Sequence, residues 1–398
     1  MTPSSASVHR RHVYFLSGFD PKGASFYHSL YRTEAQLQSG VSDYQIDVSA
    51  RQRDSSGTNR WTVQFLQNGQ QCMTTVEFSR WDDIVRRHWL RSPAALLADV
   101  LRMYGYALAS GVIPKLWRLA RRPVIAWGYP AAFLLGAVIL GAVLGVLAMA
   151  AAAGIGASHW VALAAGVAAL VVVLWAAGVV ERRLNTTWLA RIYSFARRQA
   201  LDDVPELERR IDQVAQSVTH TIRSNAVDEV LVVGFSVGSI LAVSVLSRVF
   251  DAVRSLKPEG QVPVISLLTL GHCIPMLGLL PEANRFRREL EELSRENALN
   301  WVDFSSPTDW GSFALIDPVS ACVPGADNRV PGLPAMLSPR FHTLFQPERY
   351  QQLRRDKRRM HLQYLLAGEI PAGYDYFNLT AGLHTLPESA GILGGGAK

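Results

Sequence analysis

Charge is missing from one long stretch of this chain. Between Val124 and Val180 there is no Asp, Glu, Lys or Arg, and only Gly154 to His159 (GIGASH) interrupts the apolar run. That absence argues against a pair of helices in a soluble core. It predicts two passes, Tyr129 to Ala152 and Trp160 to Val180, each close to the roughly 20 residues that cross about 30 Å of hydrocarbon. Cysteine is scarce as well: Cys72, Cys273 and Cys322 show no paired spacing and no CxxC, so neither a zinc site nor a disulfide scaffold is indicated and a reducing compartment fits. The amino terminus carries Arg10 and Arg11 but no long apolar region with a cleavage site, so no secretory signal is read. No internal repeat is apparent.

What is present is basic and apolar. The formal charge is +7 and 49% of residues are hydrophobic, above what a soluble surface needs. The cations cluster at Lys115 to Arg122 and Arg182 to Arg198, without aromatic interleaving along a face. This argues for anionic lipid headgroups as partners and against nucleic acid. Both clusters flank the uncharged run, so they place its two ends on the cytoplasmic side and the turn Gly154 to His159 outside. The expected location is the inner (cytoplasmic) membrane, with the domain outside the uncharged run and both termini cytoplasmic. Gly141 and Gly145 form a GxxxG, with Gly136 nearby, which suits close packing of the two passes and offers a face for homo-oligomer formation. Before the run, residues 81–123 mix Trp81, Trp89 and Trp117 with Arg86, Arg87, Arg91, Arg102 and Arg118 and with leucines from Leu90 to Leu119. That composition suits amphipathic helices at the membrane interface, although packing against the domain accounts for the same residues.

The rest alternates. His12 to Ser17, Tyr44 to Ser49, Trp61 to Leu66 and Met73 to Phe78 read as strands, the last two joined by an Asn68-Gly69 hairpin turn. After the membrane segment come a helix over Val204 to Arg223, strand Glu229 to Val233, helix Ser239 to Phe250, strand Val262 to Leu270, helix Glu282 to Glu296 and strand Asn300 to Phe304. The pattern predicts an α/β domain, residues 1–80 and 181–390, with a mostly parallel sheet flanked by helices and functional loops at the carboxyl ends of its strands. The hairpin is an insertion into that domain, and Gly391 to Lys398 reads as a flexible tail.

Gly234-Phe235-Ser236-Val237-Gly238 sits between strand and helix as a nucleophile elbow. A sharp turn there stands the Ser236 hydroxyl at the top of the sheet and leaves no room for a Cβ at Gly234 or Gly238. Serine is a poor nucleophile without a histidine base, and the base needs a carboxylate to orient it. Chain order puts the acid after a later strand, and Asp309, beyond Asn300 to Phe304, is preferred over Asp303 and Asp317. For the base, His361 is preferred over His342 and His384, while His272 suits the rim of the pocket. The oxyanion donors are expected at the Val237 and Phe19 N–H groups, with Asp20 turned away to cap its loop or pair with Lys22.

The elbow, the strand-loop ending at Asp309 and His361-Leu362-Gln363-Tyr364 together resemble the class 3 lipase branch of the α/β-hydrolases, over residues 204–370. The resemblance implies an α/β-hydrolase-like sheet carrying Ser236 as nucleophile, Asp309 as acid and His361 as base, with no metal or organic cofactor. The expected activity is hydrolysis of lipids or lipophilic esters at the cytoplasmic membrane face through an acyl-enzyme. A thioesterase, a serine peptidase, an acyltransferase and a non-catalytic membrane scaffold all stay open.

Overall fold

The computed structural model describes residues 7–55, 57–89, 92–184, 187–254, 262–326, 328–371 and 373–394. Its frame is a mixed sheet of nine strands: β1 (Arg10–Leu16), β2 (Gln45–Val48), β3 (Gln52–Arg53), β4 (Asn59–Gln67), β5 (Gln70–Phe78), β6 (Glu229–Phe235), β7 (Val264–Leu270), β8 (Leu299–Phe304) and β9 (Ala335–Leu337). The order is β2-β4-β5-β1-β6-β7-β8-β9, with β3 paired to β4. Every pair from β5 through β9 is parallel, and the β2-β4, β3-β4 and β4-β5 pairs are antiparallel. Asn68 (φ 52°) and Gly69 (φ 77°) make the tight turn between β4 and β5, as the Asn-Gly pair predicts.

The central strands are buried on both sides because helices cover both faces. In β6, Val230 and Val232 join one apolar core and Leu231 and Val233 the other. The first helix, α1 (Ala24–Ser39), lies on the second face and is absent from the expected elements. On the first face lie α2 (Asp82–His88), α3 (Pro93–Ala109), α4 (Val112–Leu119), the start of α5 (Arg121–Gly154), α7 (Trp188–Ala200), α8 (Pro205–Ser224) and α9 (Gly238–Arg254), while α6 (His159–Leu184) packs on α5. Four of these, α3, α5, α7 and α9, contribute Val100, Val124, Phe195 and Ile240 to the first core.

α5 and α6 are each long and apolar enough to cross a membrane. They pack closely where glycines allow: a Cβ at Gly145 would stand 2.9 Å from the Gly166 carbonyl oxygen, and one at Gly141 would stand 2.7 Å from Leu170. Gly136 meets nothing and takes no part. The first helix starts earlier than the apolar run suggests, at Arg121 instead of Tyr129, with Pro130 inside it. Its extra turns are docked on the domain. Trp127 stacks between Tyr104 and Tyr193, at 5.2 and 4.7 Å between ring centroids, and Arg122 donates to the Pro307 carbonyl. At 34 residues the helix is about 50 Å long, more than the hydrocarbon requires.

The segment 81–123 needs correction in part. Trp81 is fully buried and donates its ring N–H to the Ser17 carbonyl at 2.9 Å, and Trp89 stacks on Phe19 at 5.8 Å. Both serve the core, since an indole with a backbone acceptor in reach is satisfied there. Arg86 pairs with Asp82 at 2.5 Å, and Arg87 faces Glu206 at 3.5 Å. Leu97, Leu101, Leu108 and Trp117 do stay exposed. α3 and α4 meet at an 81° bend. Leu90 and Arg91 lie outside the described residues. At the carboxyl end, the expected tail is helix as far as Gly394, the close of Leu386–Gly394, and residues 395–398 lie outside the described residues.

Candidate functional site

Because β1, β6, β7 and β8 run parallel, the loops that follow them converge at one edge of the sheet. The turn after β6 is strained in the manner an elbow requires. Ser236 has φ of +56°, a left-handed conformation costly for any residue with a side chain. A Cβ at Gly234 would stand 2.6 Å from Ser239 Cα, and one at Gly238 only 2.1 Å from the Leu16 carbonyl oxygen. Only glycine fits at either place. Ser236 N–H donates to the Leu270 carbonyl at 2.8 Å, and the Ser239 hydroxyl donates to the Gly234 carbonyl at 2.9 Å. These bonds tie the turn to β7 and to its own strand.

Asp309 lies in the loop after β8 and is 1% exposed. Its oxygens meet His361 Nδ1 at 3.0 and 2.9 Å, so the imidazole donates from Nδ1 and presents Nε2 to the pocket. Oδ1 also accepts from Gly311 N–H at 2.9 Å, and Oδ2 accepts from the Tyr364 hydroxyl at 3.2 Å. His361 comes from α14 (Lys357–Leu362), after α10 (Ile274–Gly278), α11 (Asn284–Leu293), α12 (Pro318–Cys322) and α13 (Pro347–Leu353) in chain order. Gly271 (φ +54°) makes space beneath the pair, since a Cβ there would stand 2.7 Å from the Tyr364 ring and 3.1 Å from Asp309. Burial holds the Tyr364 hydroxyl well above its ordinary pKa, so it stays a donor. It also accepts from Ser306 N–H at 2.8 Å. Tyr364→Phe therefore orphans a buried N–H and removes one donor from Asp309, and a loss of about 1–3 kcal/mol of stability is expected. Thermal denaturation checks it, and an unchanged Tm would refute this role of the hydroxyl.

The competing residues are engaged elsewhere. Asp303 accepts from Thr269 and Ser305, each at 2.7 Å, and Asp317 caps α12 and pairs with Arg329. Of the three aspartates, Asp309 alone bonds a histidine among the described residues. His342 is exposed on the short turn Phe341–Thr343, and the His384 carbonyl accepts from Arg11. His272 departs from expectation: it is wholly buried, with Nε2 3.1 Å from the Ile316 carbonyl, and lines neither cavity at Ser236. The loop after β7 turns inward there to receive Phe313 N–H.

Two cavities open onto Ser236 and His361. The larger, about 390 Å³, runs between Ile125 and Tyr129 of α5, Ile192 and Tyr193 of α7, and Met276 and Phe313. The other, about 290 Å³, lies along the loop after β1. That loop touches the serine, because a Cβ at Gly18 would stand 3.2 Å from Ser236 Cβ. It brings Phe19 to the wall of the cavity that Ser236 also lines. Asp20 is turned to its own loop: Oδ1 accepts from Lys22 N–H at 2.9 Å, and Oδ2 is 3.6 Å from Lys22 Nζ.

Two site residues escaped the sequence reading. The Ser236 hydroxyl meets the Cys273 thiol, Oγ to Sγ 3.6 Å, and among the described residues makes no hydrogen bond to His361. Burial pushes the Cys273 pKa up to about 12, with the nearby Asp309 adding to it, so the sulfur stays a neutral thiol. Its position directly after a core strand was the available signal. Trp188 is the second. It donates to the Phe19 carbonyl at 3.1 Å and stands edge-on to the His361 ring at 6.2 Å, which ties α7 to both sides of the site.

A serine at a strained bend, beside an imidazole whose far nitrogen is held by a buried carboxylate, has the parts for acyl transfer. Among the described residues no group of three or more His, Cys, Asp or Glu could hold a metal ion. No family model, curated protein or solved structure matches this chain.

Proposed function

We propose that this chain is a serine hydrolase of the α/β-hydrolase type that cleaves lipids or lipophilic esters at the cytoplasmic face of a membrane. The observation that carries the reading is the junction of the strained Ser236 with the Asp309–His361 pair at the end of an apolar cavity walled by α5. In the first step Ser236 Oγ bonds the ester carbonyl carbon as its proton passes to His361 Nε2. The carbon–oxygen bond to the alcohol then breaks, and the leaving oxygen takes that proton. Water next bonds the acyl carbon through its oxygen as its proton passes to His361, the bond from that carbon to Ser236 Oγ breaks to release the acid, and Oγ takes the proton back. Val237 and Phe19 N–H groups are the proposed donors to the oxyanion of each tetrahedral intermediate. Asp309 holds the imidazole in the required tautomer throughout.

The membrane reading rests on the uncharged α5 and α6, the arginines at their inner ends and the exposed Leu97, Leu101, Leu108 and Trp117 before them. In this arrangement α3 and α4 lie at the interface, and acyl chains reach the serine past the foot of α5. Ester turnover with a burst of alcohol release in the purified full-length chain tests the chemistry. Absence of both burst and turnover on acylglycerol, phospholipid and short-chain p-nitrophenyl esters would refute it. For topology, Ser158→Cys in the turn is expected to react with a membrane-impermeant maleimide in intact cells, and Ser224→Cys only after the membrane is opened. The three native cysteines are buried and give a low background. Equal reaction of both sites from outside would exclude a spanning hairpin with a cytoplasmic domain.

A further inference from the structure

An ester has an acyl side and an alcohol side, and the two cavities part at the serine that would lie between them. They share Trp188, Ser236, Arg358 and His361. The larger is walled by α5 and α7 and suits the acyl chain, whereas Asp20 and Lys22 line the smaller alone and Arg358 stands where the two meet. Of the cations at this junction, Lys22 is placed over the Phe26 ring at 4.1 Å and beside Asp20. Lys357 stands over Trp310 at 5.0 Å and donates to the Arg354 carbonyl at 3.0 Å. Arg358 differs. The Asp356 cap accepts its backbone N–H at 3.0 Å and so sets it one turn before His361, yet among the described residues its exposed guanidinium has no hydrogen bond or ion pair.

We infer that the smaller cavity receives an alcohol portion carrying a phosphate, with Arg358 as its counter-ion, so that the preferred substrates are anionic glycerophospholipids or their lysolipids. This rests on Ser236 being the nucleophile. A planar guanidinium offers paired donors that match phosphate oxygens, and a neutral acylglycerol leaves them unused. Asp20, paired with Lys22, repels an anionic headgroup less than a free carboxylate would, so the selectivity falls to Arg358.

The test uses the full-length protein in neutral detergent with two monomeric substrates of one chain length, decanoyl lysophosphatidylglycerol and decanoylglycerol. The wild type is expected to favour the anionic ester in kcat/KM. Arg358→Gln is expected to lower the anionic-to-neutral ratio about tenfold, chiefly through KM, and Arg358→Lys to restore part of it. A wild type without preference, or a ratio unmoved by Arg358→Gln, overturns the inference. If neither ester is turned over while a fluorophosphonate still labels Ser236, the substrate class is wrong and the nucleophile stands. If Ser236 is also unlabelled, both readings fall.

Discussion

Ser236→Ala is expected to lower ester turnover by on the order of 10⁶-fold in kcat, to the level left by binding and the oxyanion donors alone. The size follows from the covalent step, which in the proposed mechanism the Ser236 hydroxyl alone carries. Cys273, the nearest candidate at 3.6 Å from Ser236 Oγ, is held as a neutral thiol by its burial. Alanine leaves the bend intact, because Gly234, Gly238 and the Ser236 N–H bond to Leu270 create it and the hydroxyl does not. Melting behaviour close to wild type with lost turnover is therefore the expected combination. Turnover within tenfold of wild type would remove Ser236 from the mechanism.

Asp309→Asn is expected to reduce kcat by on the order of 10⁴-fold with the fold retained. Both carboxylate oxygens are fully engaged as acceptors, Oδ1 by His361 and Gly311 and Oδ2 by His361 and Tyr364. An amide keeps the shape but replaces one acceptor with a donor. Wherever that NH₂ faces Nδ1, the imidazole must carry its proton on Nε2, where it no longer accepts one from Ser236. Steady-state turnover on a single ester checks this, and a reduction of less than tenfold would show that Asp309 does not set the tautomer.

β1, β6, β7 and β8 were readable because each carries an apolar run closed by turn residues, and the elbow because two glycines flank its serine, whereas the three-residue β9 was not read. Asp309 and His361 followed from chain order and loop position, and the structure places them in direct contact. What escaped was set by tertiary context. α1 buries His28 and Gln38 along with its tyrosines, so its inner face does not read as an apolar stripe. The foot of α5 begins with two arginines and a proline, and it is helical because Trp127 and Arg122 dock it on the domain. Trp81 fitted an interfacial helix and packing on the domain alike, and what decides for packing, the Ser17 carbonyl that satisfies its ring N–H, comes from far earlier in the chain. Trp188 belongs to the site only through the docking of α7 beside the serine, which no local pattern discloses.

Reaction of the purified full-length chain with a fluorophosphonate, followed by peptide mapping, tests the central claim most directly. The account predicts one modified residue, Ser236, with labelling lost in His361→Ala. A folded wild-type protein that takes up no label, or takes it up at another residue with Ser236 untouched, would contradict it.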